Sequence, residues 1–219
     1  KTLMSGWSKL VDSAADDPKL FGAHNERNKQ PILDALNEFF QEEKVDSEAF
    51  DCLEIACGTG QHAAFFPTEL KVASWTPTDF DPVCVNSTKC WTNDLKNVNE
   101  PQQLDASKPV SEWKCVNEKK FDLVYCANCI HIAPFAVCQG ILAGAGSLLN
   151  DGKFLVFYGP FKVNGDFGAD SNKQFDANLR ERNAEFGIRD LENVEKQAAQ
   201  NNLKLIKKIE MPANNYLVV

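Results

Sequence analysis

The fold is decided by one stretch of the chain, Phe50-Asp51-Cys52-Leu53-Glu54-Ile55-Ala56-Cys57-Gly58-Thr59-Gly60-Gln61-His62. Its short apolar run, residues 52–56, predicts a buried strand, and Gly58 and Gly60 mark the turn that ends it. The small and aromatic residues after His62 favour the start of a packed helix. Strand, turn and helix are typical of the first unit of a doubly wound α/β sheet, where ligands bind beyond the carboxyl ends of the strands. Glycine lets a ligand approach the backbone closely, because it has no Cβ.

The composition indicates an ordinary globular domain. The chain has 219 residues and is 43% hydrophobic, which suits one α/β domain with a large core. We therefore predict a single domain over residues 1–219, with an N-terminal cap over about residues 1–45. No apolar run approaches the length of a membrane span, so no membrane partner is expected. The net charge of −8 argues against nucleic acid as the main partner, because its backbone requires clustered Lys and Arg.

The eight cysteines raise the question of disulfides or metal. Cys126 and Cys129 form a C-x-x-C, but no second pair stands at zinc-ribbon spacing, so no metal is expected. Cys52 and Cys57 lie in or beside an apolar run, where free cysteine behaves as a small hydrophobe. A chain of this size needs no disulfides, which predicts reduced thiols in a cytoplasmic protein. A redox role for the C-x-x-C pair is the alternative.

The N-terminal part predicts a helix with Pro31 in its first turn, since Ile32, Leu36 and Phe39 recur at helical spacing. The residues just before it, 24–29, are dense in hydrogen-bonding groups. Arg27 in this segment has two interpretations. It is either a surface charge near a helix start, or a cofactor or substrate contact from a segment that folds over the sheet edge.

A second strand is predicted over residues 72–78, and it ends at Asp79. In dinucleotide-binding folds an acidic residue roughly 20 positions beyond the glycine turn accepts hydrogen bonds from ribose hydroxyls. Asp79 stands at about that distance, and Asp81 is a close rival. Asp81 followed by Pro82 also suits the start of a helix.

The rest of the chain continues the alternation of strands and helices. Residues 159–170 are rich in Gly, Asn and Asp, which predicts a loop long enough to be a lid. The last two strands predict a hairpin that a plain dinucleotide fold lacks. The predicted elements are strands over 102–106, 121–126, 153–158, 203–211 and 216–219, helices over 135–149, from Ser171 and from Asp190 to about 200, and turns at 150–152 and 212–215.

With strand ends at Gly58, Asp79, Asp105 and Asn128, the chain resembles a class I S-adenosylmethionine-dependent methyltransferase. The turn lacks the G-x-G-x-x-G needed for a pyrophosphate, which argues against NAD or FAD. The expected fold is therefore α/β and Rossmann-like, with a mostly parallel sheet flanked by helices and a C-terminal antiparallel hairpin. Ala56 departs from the commonest form of the motif, which has glycine there.

The resemblance implies S-adenosylmethionine as cofactor and S-adenosylhomocysteine as product. In such enzymes the glycine loop takes the methionine part and ribose, the acid after strand two holds the ribose hydroxyls, and the acid after strand three contacts the adenine amino group. The last two positions correspond to Asp79 and Asp105. The cofactor-binding residues expected in this chain are Arg27, Glu54, Ala56, Cys57, Gly58, Gly60, His62, Asp79, Asp105, Ala106 and Asn128.

A narrower similarity covers nearly the whole chain. Residues 26–33, 58–64, 158–165 and 210–215 look like segments of the methyltransferase-like 26 family. Separated matches of this length are more specific than a glycine loop alone. That family is classed by its cofactor fold and lacks an established substrate, so the similarity supports the fold and the cofactor rather than the acceptor.

Methyl transfer needs an oriented nucleophile more than a catalytic group, because the cofactor carries the activated methyl. His131 follows strand four and is the best candidate for a base, although packing or hydrogen bonding near the methionine end of the cofactor is the favoured interpretation. For His62, a cofactor-side hydrogen bond or helix-start packing is expected. Arg180 either pairs with an acceptor carboxylate or phosphate, or forms a surface ion pair with Asp176 or Glu181. The expected substrate-binding residues are His131, Tyr158, Phe161, Asn164, Asn172, Phe175, Arg180 and Asn214.

The leading hypothesis is an enzyme that methylates a small molecule, as a monomer or a homodimer. A protein methyltransferase and a cofactor-binding scaffold without catalysis are the alternatives. Transfer of label from the cofactor to small solutes rather than to proteins separates the first two, and any turnover excludes the third.

Overall fold

The structure is a computed structural model that describes residues 17–45, 49–116 and 119–219. The chain forms two compact units, of which the first ends at Leu104 and the second is Asp105–Val219. The part of the predicted N-terminal cap before residue 17 lies outside the described residues, and the single domain stays a prediction. None of the helices in the described ranges is long and apolar enough to cross a membrane.

The first unit alternates helices with parallel strands. Its elements are α1 (Ala23–Glu42), β1 (Phe50–Ile55), α2 (Gln61–Glu69), β2 (Val72–Asp79), α3 (Pro82–Thr92) and β3 (Gln102–Gln103). β1 pairs in parallel with β2, with Ile55 opposite Thr78, and β2 pairs in parallel with β3. Because parallel neighbours run in the same direction, the carboxyl ends of β1 and β2 meet at one edge of this sheet.

The core of the first unit holds the turn after β1 in place. Ile32, Leu36 and Phe39 of α1, Phe66 of α2 and Trp75 of β2 are completely buried. The ring centroids of Phe66 and Trp75 lie 5.9 Å apart. Burial of each such side chain contributes roughly 1.5–3 kcal/mol, so helices α1 and α2, which precede and follow β1 in the chain, are firmly packed.

Helix α1 begins earlier than the sequence predicts. It starts at Ala23 rather than near Pro31, which lies inside it. The reason is that the first turns of α1 bury polar side chains, Asn25 and Asn28, and the apolar period only begins at Ile32. The segment of hydrogen-bonding residues predicted to precede the helix therefore forms its first two turns.

The second unit has a mixed sheet. β4 pairs in parallel with β5, and β5 pairs antiparallel with β9. β9 in turn pairs antiparallel with β8, which confirms the predicted C-terminal hairpin, while β6 and β7 form a separate parallel pair. The elements are β4 (Phe121–Ala127), α4 (Phe135–Leu148), β5 (Leu149–Gly159), β6 (Phe161–Lys162), α5 (Asp170–Arg182), β7 (Arg189–Asp190), α6 (Leu191–Ala199), β8 (Lys208–Met211) and β9 (Asn215–Val218).

The turn predicted at residues 150–152 lies within β5 instead. β5 begins at Leu149, opposite Phe121, but its next pairing with β4 joins Phe154 to Leu123. The extra residues of β5 form a bulge in which Gly152 has φ +71°. A glycine signal is therefore compatible with an interrupted strand as well as with a turn.

The predicted third strand is shorter than expected. β3 ends after two residues, because Leu104 N donates to Asp79 O and the chain then turns. Asp105 closes this turn, since its Oδ1 accepts from Ser107 N at 3.0 Å. Asp105 follows β3 along the chain, but it lies in a turn that its own side chain stabilises rather than within the short strand predicted over residues 102–106.

The starts of two further elements differ from the predictions. Helix α5 begins at Asp170 after Ala169, and Ser171 lies inside it. β8 begins at Lys208 rather than at 203. Helix α6 follows Asp190 as predicted, although the Asp190 side chain makes no capping hydrogen bond. β6 and β7 are too short for any periodic pattern, so the sequence did not indicate them.

Candidate functional site

The glycine turn after β1 has the backbone conformation that glycine favours. Ala56, Gly58 and Gly60 have φ values of +61°, +58° and +94°. A Cβ at Gly60 would lie 2.6 Å from Thr88 Cα, whereas at Gly58 no heavy atom of the described chain lies within 4 Å of one. Gly60 is thus required by packing, Gly58 faces open space, and Ala56 adopts a left-handed conformation that costs a non-glycine residue roughly 1–2 kcal/mol.

Asp79 at the end of β2 is hydrogen-bonded to this turn. Its Oδ2 accepts from Gly58 N and its Oδ1 from Asp81 N, both at 2.9 Å. The side chain is buried, and burial raises the pKa of Asp79 to about 6, although these backbone N–H groups act in the opposite direction. Each carboxylate oxygen has a second lone pair, so the group can still accept hydrogen bonds from a ligand.

Asp81, the rival carboxylate, caps helix α3. Asp81 directly precedes Pro82, the first residue of α3. Its Oδ1 accepts from Val83 N at 2.9 Å. This is the bond that an N-cap aspartate makes. The two aspartates therefore have separate local roles, with Asp79 on the glycine turn and Asp81 on the helix start.

Glu54 in β1 turns its carboxyl group towards the interior of the first unit. Its Oε2 accepts from Trp75 Nε1 at 2.7 Å, and the residue is 2% exposed. Burial, against the opposing effect of the Trp75 bond and with a smaller contribution from the nearby Asp79 carboxylate, raises the pKa of Glu54 to about 8. Glu54 is consequently protonated at neutral pH.

A polar network joins helix α1 to the glycine turn. Asn25 Nδ2 donates to Thr59 Oγ1 at 2.9 Å, and Gln61 Oε1 accepts from Gly22 N at 2.6 Å. Gln61 Nε2 in turn donates to Glu26 at 3.1 Å. The sequence analysis missed Asn25, Thr59 and Gln61. The available signal was the polar density of residues 24–29 on a helix whose opposite face is apolar.

His62 at the start of α2 is part of the same contact with α1. Its Nε2 lies 2.8 Å from Asn28 Oδ1, and the side chain is 3% exposed. Burial and, to a lesser extent, the nearby His24 together lower the pKa of His62 to about 3. A neutral imidazole that donates to Asn28 fits the packing interpretation rather than base catalysis.

The other two predicted cofactor contacts of the first unit differ in exposure. Arg27 is exposed, as the surface interpretation requires. Cys57 is buried, and its Sγ lies 3.2 Å from Thr88 Oγ1. Burial raises the pKa of the Cys57 thiol well above its usual range, so this cysteine contributes shape rather than reactivity.

Two apolar side chains beside Asp79 stand in solvent. Phe80 is 66% exposed and Val83 is 57% exposed. Exposed aromatic surface next to a hydrogen-bonding carboxylate suits a ligand with a flat ring and a polar sugar. Neither residue was predicted from the sequence, because Phe80 stands between Asp79 and Asp81 and Val83 follows Pro82, and no periodic pattern shows that either side chain is exposed.

In the second unit, the ends of β4 and β5 bring Asn128, Tyr158 and His131 together. Asn128 has φ +52°, and its N donates to Tyr158 O at 2.8 Å. His131 is 4% exposed, its ring centroid lies 5.6 Å from that of Phe175, and its O accepts from Gly187 N at 2.9 Å. The predicted acceptor residues His131, Tyr158 and Phe175 therefore lie in one cluster with Asn128, a predicted cofactor contact. Helix α5 and the segment before β7 hold this cluster.

Asp105 and Ala106 follow Leu104 at the start of the second unit. Asp105 is partly exposed and Ala106 is buried. A Cβ at Gly140 of α4 would lie 1.7 Å from Ala106 O, so α4 packs directly on this backbone. The close packing fixes the position of the turn that carries the Asp105 carboxylate.

The remaining predicted acceptor residues are spread over the second unit. Phe161 is buried, and Asn164 N donates to Glu192 Oε1 at 3.0 Å. Asn172 Nδ2 donates to the carbonyls of Phe167 and Asn214, which ties the start of α5 to the turn before β9.

Arg180 forms the ion pair that the surface interpretation predicts. Its Nε donates to Asp176 Oδ2 at 2.7 Å, and Asp176 Oδ1 accepts from Ile188 N at the same distance. The Arg180 side chain is 49% exposed, whereas Asp176 is buried. The pair therefore anchors the segment before β7 to α5.

All eight cysteines are free thiols in this structure. Cys126 is buried at the end of β4 and Cys129 is partly exposed in the following loop. Among the residues that the structure describes, no group of three or more His, Cys, Asp or Glu side chains is placed to hold a metal. The redox alternative for Cys126 and Cys129 stays a prediction.

Comparison with known proteins gives a family and a fold. The family model described as "Protein of unknown function (DUF938)" matches residues 19–219. The structure is similar to that of the mitomycin 7-O-methyltransferase, with a TM-score of 0.70 and 13% identity over 90% of this chain and 53% of that one.

Two further structures agree. An O-methyltransferase family protein from Burkholderia thailandensis has a TM-score of 0.65 and 15% identity over 90% of this chain and 60% of its own. An O-methyltransferase family 2 protein from Planctomyces limnophilus, solved with apigenin, has a TM-score of 0.60 and 18% identity over 80% of this chain and 51% of its own. The chain thus spans about half of the length of the structures it matches. These likenesses confirm the predicted Rossmann-like fold of class I methyltransferases.

Proposed function

The chain belongs to the family described as protein of unknown function DUF938, and we propose that it is a methyltransferase that uses S-adenosylmethionine to methylate a small molecule. The observation that carries the proposal is the Asp79 carboxylate bonded to the amide of Gly58 at the ends of two adjacent parallel strands. This is the edge of an α/β sheet at which ligands bind.

The geometry of the glycine turn supports a bound adenosyl group. The open space at Gly58 leaves room for a ligand against the backbone, and the Asp79 oxygens retain lone pairs for the two ribose hydroxyls. The exposed ring of Phe80 and the side chain of Val83 offer apolar surface for the adenine. The polar network with α1 keeps the turn in one conformation before the cofactor binds.

The second unit has its own part in the proposal. The resemblance implies Asp105 and Ala106 beside the adenine, with Asn128 near the methionine end of the cofactor. The tight packing of α4 on Ala106 supports a fixed position for the Asp105 carboxylate. We include in the same proposal that the chain is a member of the methyltransferase-like 26 family, the narrower of the two resemblances.

The reaction is a displacement in which the acceptor lone pair bonds to the methyl carbon while the carbon–sulfur bond breaks. S-adenosylmethionine supplies the activated methyl group and becomes S-adenosylhomocysteine. The protein orients the acceptor and excludes water, and orientation lowers the barrier by up to roughly 7–11 kcal/mol. Where the acceptor arrives protonated, His131 is the proposed base, since it lies near Asn128 and Tyr158 at the ends of β4 and β5.

A small-molecule acceptor is favoured by two features. Of two structurally similar proteins, one is a mitomycin 7-O-methyltransferase and the other was solved with the small molecule apigenin. The cluster around His131 is covered by Phe175, which suits a compact flat acceptor. A cytoplasmic location and a monomer or homodimer complete the proposal, and the free thiols support the first of these.

The proposal is tested by incubating the protein with methyl-labelled S-adenosylmethionine and the small-molecule fraction of a cell extract. A parallel incubation contains the protein fraction. We expect label in small solutes, and we expect Asp79→Ala to remove it while the variant stays folded. Label only in proteins would contradict the acceptor class, and no binding of the cofactor by folded protein would contradict the enzyme.

A further inference from the structure

A cavity of about 350 Å³ in the second unit is lined by an unusual concentration of positive charge. Four of its lining residues are cationic, Lys162, Arg180, Arg189 and Lys196, and one is acidic, Asp190. The chain as a whole has a net charge of −8, so this concentration is not a general property of its surface. The volume lies within the range of small-molecule sites, roughly 300–1,000 Å³.

The fold brings these cations together from separate elements. β6 pairs in parallel with β7, which places Lys162 opposite Asp190 and sets Arg189 on the neighbouring residue. Helix α6 starts directly after β7 and carries Lys196, and α5 carries Arg180. Since β6 and β7 are separated by the whole of α5, the convergence depends on tertiary structure.

Backbone carbonyls hold Arg189 in place, and among the described residues no carboxylate forms an ion pair with it. Its guanidinium donates to the carbonyls of Ile130, Ala133 and Glu185 and lies 5.5 Å from the centre of the Phe135 ring. Carbonyl bonds fix the group but leave its charge uncompensated, and a guanidinium stays protonated in a protein. Phe135 at the same time gives the cavity an apolar wall.

The other cations are only partly neutralised. Arg180 pairs with Asp176, but Lys162 and Lys196 have no carboxylate within 4.0 Å in the part of the chain that the structure describes. The neighbouring Glu192 carboxyl group raises the pKa of Asp190, so the negative charge of Asp190 is weakened rather than reinforced. The lining therefore has an excess of positive charge beside a wall that can contact an organic group.

We propose that this cavity binds the oxyanion group of a small molecule, a carboxylate or a phosphate. Guanidinium groups donate readily to both oxyanions. Beyond the bonds already made, Arg180 keeps N–H donors on Nη1 and Nη2 and Arg189 keeps those on Nη1, while the lysines add point charges. The cavity is larger than the oxyanion alone, so its apolar wall takes part of the organic body. This site is separate from the proposed cofactor contacts of the first unit, and it stands whether or not the protein transfers methyl groups.

The test is a calorimetric titration of the full chain with sodium phosphate and, separately, with sodium succinate, at an ionic strength held constant with sodium chloride. We expect saturable binding of at least one of them, and the tighter one identifies the group. The double variant Lys162→Gln/Lys196→Gln is expected to bind it about tenfold more weakly or worse. Circular dichroism checks that the variant keeps its fold.

The control is Lys173→Gln/Lys204→Gln, which removes two exposed lysines of the same unit that do not line the cavity. We expect it to bind within about twofold of the original protein, since the salt screens the long-range attraction of exposed lysines that do not line the cavity. The proposal is overturned if neither anion binds saturably, or if the control variant loses as much affinity as the cavity variant.

Discussion

Around the glycine turn of the first unit, the predicted cofactor residues are mostly buried and hydrogen-bonded. Asp79, Glu54 and His62 are each less than 9% exposed, and each has a defined partner. The predicted acceptor residues of the second unit are divided: His131, Tyr158, Phe161 and Asn172 are buried, whereas Asn164, Phe175, Arg180 and Asn214 are exposed. The two regions therefore differ in how far the fold itself fixes the side chains.

The difference separates the contacts expected for the cofactor, which the fold fixes, from those expected for the acceptor, which can vary. A cofactor common to many enzymes needs one rigid set of contacts, and burial with complete hydrogen bonding supplies it. An acceptor differs from protein to protein, and surface side chains can change without loss of the core. The same contrast predicts that substitutions at the buried residues of the first region have large effects on stability, and that substitutions at the exposed residues of the second have small ones.

The largest effect expected is the pH dependence caused by Glu54. Its pKa is about 8 when folded and near the ordinary value of 4.5 when unfolded, so the folded protein alone keeps the proton between these values. Stability from this group is then lost as the pH rises through that window, at up to about 1.4 kcal/mol per pH unit. Glu54→Gln, which keeps an acceptor for Trp75, should gain about 3 kcal/mol relative to the original protein between pH 5 and pH 8.

Urea unfolding of both proteins across this pH range measures the effect. The difference between the two proteins isolates Glu54 from His62, whose lowered pKa acts in the opposite direction. A difference that does not change with pH would show that Glu54 is ionised in the folded protein. The first region would then lack the buried proton that distinguishes it.

A smaller effect is expected on cofactor binding through Asp79. Because its pKa is raised to about 6, the carboxylate forms as the pH rises from 5 to 7. A charged carboxylate accepts hydrogen bonds from ribose hydroxyls more strongly than a protonated one. S-adenosylmethionine should therefore bind more tightly at pH 7 than at pH 5, by up to about tenfold.

Calorimetry at several pH values tests this, with Asp79→Asn as the comparison. The variant is isosteric and does not titrate, so its affinity is expected to be nearly constant over the same range. An equal pH dependence in both proteins would assign the titration to another group.

The smallest effect expected compares two residues of positive φ, one in each unit. Ala56 has φ +61° and Asn164 has φ +52°. Alanine is strained there, whereas asparagine tolerates this conformation. Ala56→Gly should therefore raise the free energy of unfolding by about 1 kcal/mol, and Asn164→Gly should change it by less than about 0.5 kcal/mol. Thermal or urea unfolding of both variants decides, and equal effects would contradict the strain assigned to Ala56.

The sequence was informative where a pattern is local. The strand before Gly58, the second strand ending at Asp79 and the hairpin at the C-terminus all follow from short runs and turn residues. The departure at Ala56 from the usual glycine also has a structural meaning, since that position has positive φ.

The rest depends on contacts between distant residues. Helix α1 begins early because Asn25 contacts Thr59 and Asn28 contacts His62. Each partner lies 34 residues further along the chain, so no local pattern reveals the contact. Phe80 stands between two aspartates, and only the structure shows that its ring is exposed. The cavity lined by Lys162 and Arg189 arises from a two-residue strand pairing, which has no periodic signal.

The most direct test of the central claim is a calorimetric titration with S-adenosylmethionine of the original protein and of two matched variants, Gly58→Ala and Gly152→Ala. Both glycines have positive φ, at +58° and +71°, and neither has a heavy atom of the described chain within 4 Å of an added Cβ. Both variants should lose a similar roughly 1–2 kcal/mol of stability. We predict saturable binding by the original protein and by Gly152→Ala, and binding weaker by about tenfold or more for Gly58→Ala. Unchanged binding by Gly58→Ala, or no binding by the folded original protein, would contradict the claim that the glycine turn holds the cofactor.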